Sequence, residues 1–421
     1  MASDRRIAKR LVFLLTGYEP LPPDQQHRRF VREIARFETT WGVKAKVSAG
    51  QGLDGPLPSW KVETTAPNWQ VATEVRTFDW HDLVKEDTRR GTTARITGGV
   101  LALLDFLLTG TLFRYMRYNF RYGLFFLYPV VLLSLLLAAG VYSGLWYAEK
   151  ASPAPLIGAP VGFTVTWVLY RMICTRFYLD YILDDWIFAR DMIRGRRADL
   201  EERIDLFAAS LAETVAASDA DEIVLVGHSL GAPMMLQVIA RAIERSLSAT
   251  GRSLGAPSDG DGDANSGPNG DNRRLALMTT GSSILKIGLH PAAGVFREDA
   301  ARVANDPNIF WVEYQALVDV INFYKCNPAS CMGLDVKTLP EVRTVRIRNM
   351  LKEETYKRFR GNFFRMHRQF VMGNERPYHY DYFMILCGPV SLEKRVFEPD
   401  AMIAAAGTVP ASAGAPAGAP E

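Results

Sequence analysis

Cysteine and histidine are scarce in this chain, four of the first and six of the second in 421 residues. Cys174, Cys326, Cys331 and Cys387 form no CxxC pair and have no histidine pair beside them, which excludes the usual ligand spacing of a zinc site; no metal is assigned. Cys326 and Cys331 are near enough in sequence to bridge, but in a reducing compartment they read as two free thiols. A charge excess is also missing. Lys and Arg number 49 against 46 Asp and Glu, net +3, which disfavours a nucleic-acid partner bound by neutralising phosphates. Behind the basic residues Arg5, Arg6, Lys9 and Arg10 the apolar run covers only Leu11 to Leu15, short of the roughly 7 to 15 residues of a signal-peptide core.

What is present is apolar: 48% of the residues are hydrophobic, enough for one large core or two modest ones. Leu11–Leu15 reads as a buried strand stopped by Thr16-Gly17-Tyr18-Glu19-Pro20. Phe30, Ile34, Phe37 and Trp41 recur at helical spacing, with Gly42 placed to end that helix. Trp60–Thr65 and Gln70–Phe78 alternate as strands around a Pro67-Asn68 turn.

From about residue 96 to 197 the composition changes. No charge occurs from Leu124 to Trp146, close to the roughly 20 residues that a helix needs to cross a bilayer, and the segment reads as a membrane span. A second span is expected over 155–174, with Trp167 and Tyr170 as interfacial aromatics and Arg171 snorkelling. Arg114, Arg117 and Arg121 before the pair, and Arg171 and Arg176 at its end, place both flanks and both termini in the cytoplasm by the positive-inside rule. Ile96–Phe113, which carries Asp105, reads as an interfacial helix.

Beyond the insertion, Leu200, Ile204, Phe207, Leu211 and Val215 mark an amphipathic helix leading to the strand Ile223–Val226. Residues 246–273, rich in Gly, Asp, Asn and Ser, read as a disordered loop, and 396–421 as a disordered tail. Asp259, Asp261 and Asp263 do not make a calcium loop, because Ala264 stands where the turn needs glycine and Gly270 where the closing Glu belongs. Further strands are expected at Leu275–Thr280, Ile309–Tyr314 and Val342–Asn349. The expected divisions are 1–95, 96–197, 198–395 and 396–421.

Between strand Ile223–Val226 and the helix starting near Ala232 lies Gly227-His228-Ser229-Leu230-Gly231. A serine on such a corner projects its hydroxyl above the sheet, beside the amides and positive dipole end of the following helix. This segment resembles the nucleophile elbow of the α/β-hydrolase superfamily, in the form common among lipases and esterases. The resemblance covers roughly 10–80 and 198–390. It implies an α/β fold with a mainly parallel sheet and helices on both faces, here carrying an inserted transmembrane helical hairpin. It also implies the order nucleophile, acid, histidine along the chain. Ser229 is then the nucleophile and Asp319 the acid, with Asp335 as runner-up. His367 or His379 is the base, His367 being nearer the last strand. The oxyanion hole is expected from the amides of Leu230 and of Gly17 or Tyr18. His27, His81, His228 and His290 are not favoured as the base. The chain departs from the family pattern by starting almost on the oxyanion strand, the 60–78 hairpin standing in for the usual first strands.

The function implied is a membrane-anchored serine hydrolase of a carboxylic ester, with an amphiphile, lipid or acyl ester as substrate and no cofactor. Acyl transfer or thioester cleavage by the same triad, and an inactive scaffold of the same fold, remain alternatives.

Overall fold

The computed structural model describes residues 6–150, 157–174, 176–256 and 275–399. Eight strands form one sheet: β1 (Lys9–Leu15), β2 (Lys44–Val47), β3 (Ser59–Ala66), β4 (Trp69–Thr77), β5 (Glu222–His228), β6 (Leu275–Thr280), β7 (Ile309–Ala316) and β8 (Glu341–Val345). Their spatial order is β2-β3-β4-β1-β5-β6-β7-β8, all parallel except β3, which runs against both β2 and β4. After β1 the chain moves to one side of the sheet; after β5 it moves to the other. The strand order therefore reverses between β1 and β5, and in open α/β sheets ligands bind outside the carboxyl ends of the strands at such a reversal.

Seventeen helices accompany the sheet among the described residues. In chain order they are α1 (Pro23–Trp41), α2 (His81–Thr88), α3 (Thr92–Leu108), α4 (Thr111–Tyr118), α5 (Phe120–Lys150), α6 (Gly158–Ile173), α7 (Leu179–Ile193), α8 (Ala198–Ala217) and α9 (Gly231–Thr250), followed by α10 (Ile284–Gly288), α11 (Gly294–Asn305), α12 (Pro328–Met332), α13 (Ile347–Met350), α14 (Glu353–Phe359), α15 (Phe363–Arg368), α16 (Tyr382–Cys387) and α17 (Leu392–Phe397). The central strands are buried on both faces, which is why they read as unbroken apolar runs rather than alternating ones. Val12, Leu14, Val224, Val226, Met278 and Val312 face a core shared with Phe30, Phe37 and Trp41 of α1 and Phe383 of α16. On the other face, Phe13 stacks on Phe78 at 5.1 Å and Phe78 on Phe207 of α8 at 4.7 Å.

The chain divides into a sheet unit (residues 6–84, 198–288 and 293–399 of those described) and an insertion unit (85–197 with 289–292). The compact insertion unit starts at Lys85, ahead of the composition change near 96, and within it α3 packs on α7: a Cβ on Gly98 would lie 2.8 Å from Ile187 Cδ1, and one on Gly99 2.7 Å from Leu183 Cδ2. Buried Arg95 of α3 donates to Asp184 of α7 at 2.9 Å, which Arg90 also approaches at 3.4 Å. Among the described residues one helix, α5, is by itself long and apolar enough to cross a membrane, and α2 with α3 would be so only as a pair bent by 107°. Its 31 residues rise about 46 Å. The expected second span, 155–174, is observed as a helix only from Gly158 to Ile173, a rise of about 24 Å, while residues 151–156 lie outside those described. The two helices run antiparallel and touch backbone to backbone. A Cβ on Gly140 would lie 2.6 Å from Gly162 O, and one on Gly144 2.5 Å from Gly158 O, so the four-residue glycine spacing sets the approach.

Two other expectations are corrected, and one strand is new. Helix α9 runs on through Ala240-Arg-Ala-Ile-Glu-Arg-Ser-Leu to Thr250, into the expected loop, since these are mostly good helix formers and left-handed Gly251 caps them; most of the remaining 246–273 stretch lies outside the described residues, as does the tail beyond residue 399. Strand β8 stops at Val345, where its pairing with Ala316 of β7 ends, and the expected strand to Asn349 turns into α13. Edge strand β2, four residues long, gave too short a pattern to be read.

Candidate active site

Ser229 sits between β5 and α9 with φ at 55°, one of three described non-glycine residues in the left-handed region. Such a conformation costs about 1–3 kcal/mol and persists only where the surroundings over-determine it. Here they do. The Ser229 amide donates to Thr280 O at 3.2 Å, and its carbonyl accepts from Ala232 N at 3.1 Å and Ser283 N at 3.0 Å. The flanking glycines permit the tight corner: a Cβ on Gly227 would lie 2.6 Å from Ala232 Cα, and one on Gly231 2.5 Å from Thr16 O.

The loop after β1 closes over this corner. A Cβ on Gly17 would lie 2.8 Å from Ser229 Cβ and 3.3 Å from Ser229 Oγ, so the Gly17 backbone is against the hydroxyl. Trp80 Nε1 donates to Thr16 O at 3.1 Å, and Glu19 N to Gly17 O at 2.8 Å, fixing the loop from outside and within. Glu19 also pairs with Arg29 at 2.6 Å and lies 3.9 Å from Arg368, the residue after His367. Beneath the loop, a cavity of about 50 Å³ bordered by Gly17, Phe30, Trp60 and His228 is well below the roughly 300 Å³ of a ligand pocket.

Asp319, just beyond β7, and His367 on α15 meet: Nδ1 of the ring lies 2.9 Å from Asp319 Oδ2, while Oδ1 accepts from Ile321 N at 3.0 Å. Both are buried, at 1% and 4% exposure. His367 Nε2 is buried and makes no hydrogen bond. With Nδ1 committed to the carboxylate, Nε2 is the nitrogen left to accept a proton. Gly281, at φ 49°, binds the pair to the serine corner: a Cβ there would lie 3.1 Å from both Asp319 Oδ2 and His367 Cε1, and the residue before it accepts the Ser229 amide. His379 packs instead on Tyr378 at 4.0 Å, and Asp335 is exposed, its carbonyl accepting from Asn305. Of the residues expected from sequence, the structure sets Gly17 against Ser229 and pairs Asp319 with His367, whose Nε2 makes no hydrogen bond to Ser229; Leu230 and Tyr18 are buried beside Ser229 and Gly17 in the chain, and neither His379 nor Asp335 contacts this pair.

Two features of the site were not read from sequence. The ring of His228 lies 4.6 Å from that of His367, with its Nδ1 3.0 Å from Thr280 O. Burial, reinforced by the neighbouring His367, pushes its pKa well below the ordinary value; His228 is a neutral wall beside His367. Glu313 of β7 lies beneath the Thr280–Ser283 turn, accepting from Ser282 Oγ at 2.8 Å and from Thr279 Oγ1. Burial raises its pKa to about 7. A charged residue in the middle of an apolar strand pattern was the available signal. Asp79, His81 and Asp82 cluster closely enough to suggest a cation site, but Arg203 donates to both oxygens of Asp82, at 2.9 and 2.7 Å, which makes the group an ion pair.

The comparisons with known proteins add nothing to this geometry. No family model, no curated protein and no solved structure matches the chain.

Proposed function

We propose that this protein is a membrane-anchored serine hydrolase of carboxylic esters, built on an α/β-hydrolase fold and carrying an α5–α6 hairpin in the bilayer. The observation that carries the reading is the strained Ser229 corner, held against Gly17 on one side and next to a buried His367–Asp319 pair on the other. Strain kept at one polar residue, at the reversal point of a parallel sheet, is expected where a hydroxyl must be presented to a ligand. The strand order supports the fold assignment, with β1 in the place of the oxyanion strand and the β2–β3 pair supplying the outer strands.

In this reading Ser229 Oγ attacks the ester carbonyl carbon and passes its proton to His367 Nε2. Asp319 holds the imidazole by Nδ1 and stabilises the imidazolium that forms. The carbonyl oxygen becomes an oxyanion and is met by the amides of Leu230, at the head of α9, and Gly17; each donor of this type is worth about 3–4 kcal/mol. Collapse of the tetrahedral intermediate expels the alcohol, which takes the proton from Nε2. Water then attacks the acyl-enzyme, with His367 again as base, releasing the acid and restoring Ser229. Apo geometry with an unpaired Nε2 suits this cycle, since catalytic hydrogen bonds tighten when substrate closes the site. By the positive-inside rule, the arginines at residues 114, 117, 121, 171 and 176 favour a cytoplasmic side for both flanks of the α5–α6 pair.

Incubation of the full chain in detergent with a fluorophosphonate probe tests the reading. Labelling should map to Ser229, and Ser229→Ala should lose both labelling and turnover of short acyl esters. A folded wild-type protein that stays unlabelled would reduce the chain to a scaffold, and unchanged turnover in Ser229→Ala would remove this serine from the mechanism.

A further inference from the structure

Helix α3 carries an apolar face that the insertion unit does not cover. Val100, Leu101, Leu104, Leu107 and Leu108 recur at one-face helical spacing and are 43, 53, 42, 54 and 83% exposed. The opposite face is committed: Gly98 and Gly99 abut Ile187 and Leu183, and Arg95 is paired with Asp184. Asp105, the one charge between Arg95 and Arg114, is turned inward, where Arg194 Nε donates to it at 3.1 Å and Arg190 and His290 lie at 3.4 and 3.7 Å. Its pKa is accordingly held below the ordinary value, although burial opposes the arginines. The outward face is thus apolar by construction, with its single charge withdrawn.

The same surface continues along the chain. Left-handed Gly110 turns α3 into α4, where Phe113 is 70% exposed, and Phe120 and Leu124 continue it at 64 and 57% onto α5. Arginines accompany this stretch, exposed Arg117 between the two phenylalanines and exposed Arg171 at the end of α6, the end that antiparallel packing sets beside the start of α5. An apolar helix face bordered by arginines and continuous with a spanning helix matches the boundary between lipid headgroups and acyl chains.

We propose that α3 lies along the membrane surface, its Val100–Leu108 face sunk into the headgroup–acyl boundary of the leaflet at the arginine end of the α5–α6 pair. This inference rests on the reading of α5 as a span. Burial to a depth of about 5–10 Å is typical of such helices. The insertion unit then holds the leaflet by a third contact besides the two hairpin helices, and the ester substrate of the proposed function is a lipid of that leaflet or an amphiphile dissolved in it.

Nitroxide labels test this in the full chain, reconstituted into mixed phosphatidylcholine and phosphatidylserine vesicles. Leu101→Cys, Leu108→Cys, Thr93→Cys and Tyr142→Cys are each made in a Cys331→Ser background, the other native cysteines being buried. Labels at 101 and 108 should relax several-fold more with oxygen than with a water-soluble nickel chelate, and the label at exposed Thr93 should show the reverse. Nickel access at 101 and 108 equal to that at 93 would overturn the proposal. So would an immobile signal shielded from both reagents, which would mean a protein partner, including a second copy of this chain. Tyr142, 72% exposed on α5, separates the two readings: lipid at 142 with water at 108 removes only the surface helix, whereas water at 142 removes the span itself.

Discussion

Replacing Gly17 by alanine adds one methyl group directly against the Ser229 side chain. Gly17 is not in the left-handed region, so alanine meets no backbone penalty, and the effect is one of space alone. The new Cβ would stand 2.8 Å from Ser229 Cβ, about 0.6 Å inside the 3.4 Å edge of ordinary contact, and 3.3 Å from Oγ. Neither partner yields easily. Ser229 is held by three backbone hydrogen bonds, and the Gly17 loop by Trp80 and Glu19. The displacement therefore falls on the relation between the hydroxyl and the loop amide, and a misplacement of about 1 Å in a catalytic geometry costs on the order of 100-fold. A loss of about 10- to 100-fold in kcat for a short p-nitrophenyl ester is expected, with fluorophosphonate labelling slowed in proportion and KM nearly unchanged. Overpacking should also lower stability by about 1–3 kcal/mol, read as a lower melting temperature. Gly294→Ala, where nothing lies within 4 Å, is the control and should leave both quantities alone. Wild-type turnover in a folded Gly17→Ala protein would refute the placement of this loop over the reacting hydroxyl.

Asp319→Asn should leave the fold intact and lower kcat by about 10³- to 10⁴-fold, because an amide can hold His367 in the wrong tautomer; turnover equal to wild type would transfer the acid's role elsewhere. Glu313 gives a pH signature in stability. Its folded pKa of about 7, against an ordinary 4.5, means that the folded chain binds this proton more tightly than the unfolded one. Its contribution is full below about pH 4.5 and is lost as pH rises through about 7, at up to about 1.4 kcal/mol per pH unit. Glu313→Gln abolishes this titration, so its melting temperature should gain on wild type as the buffer is taken from pH 5 to pH 8; a difference that does not change with pH would refute the buried, proton-holding carboxyl.

What was legible in the sequence follows from how each element is stabilised. Strands β1, β5, β6 and β7 are buried on both faces and declared themselves as short apolar runs between turn residues. The serine corner was legible because its two glycines are a steric requirement rather than a preference. In sequence, His367 is favoured over His379 by nearness to the last strand and by the aromatic stretch around His379; it is the fold that brings α15 against the turn after β7. Glu313 and His228 were hidden because their roles come from neighbours distant in sequence. Helix α7 was missed for a similar reason: Asp180, Asp184, Asp185 and Asp191 make it look like a solvated segment, while Arg95 and Arg90 neutralise Asp184 inside the insertion.

The order of parts along the chain has a further consequence for how the molecule is made. β1 and its loop are synthesised first, but β5, which pairs with β1 and delivers Ser229, comes only after the whole insertion. Sheet closure between them spans a long stretch of chain and is intrinsically slow. On the ribosome, the apolar helices have emerged and can reach lipid while the sheet still has an open edge at β1. In the proposed reading, a nascent chain is thus anchored by these helices before β5 delivers Ser229 to the sheet.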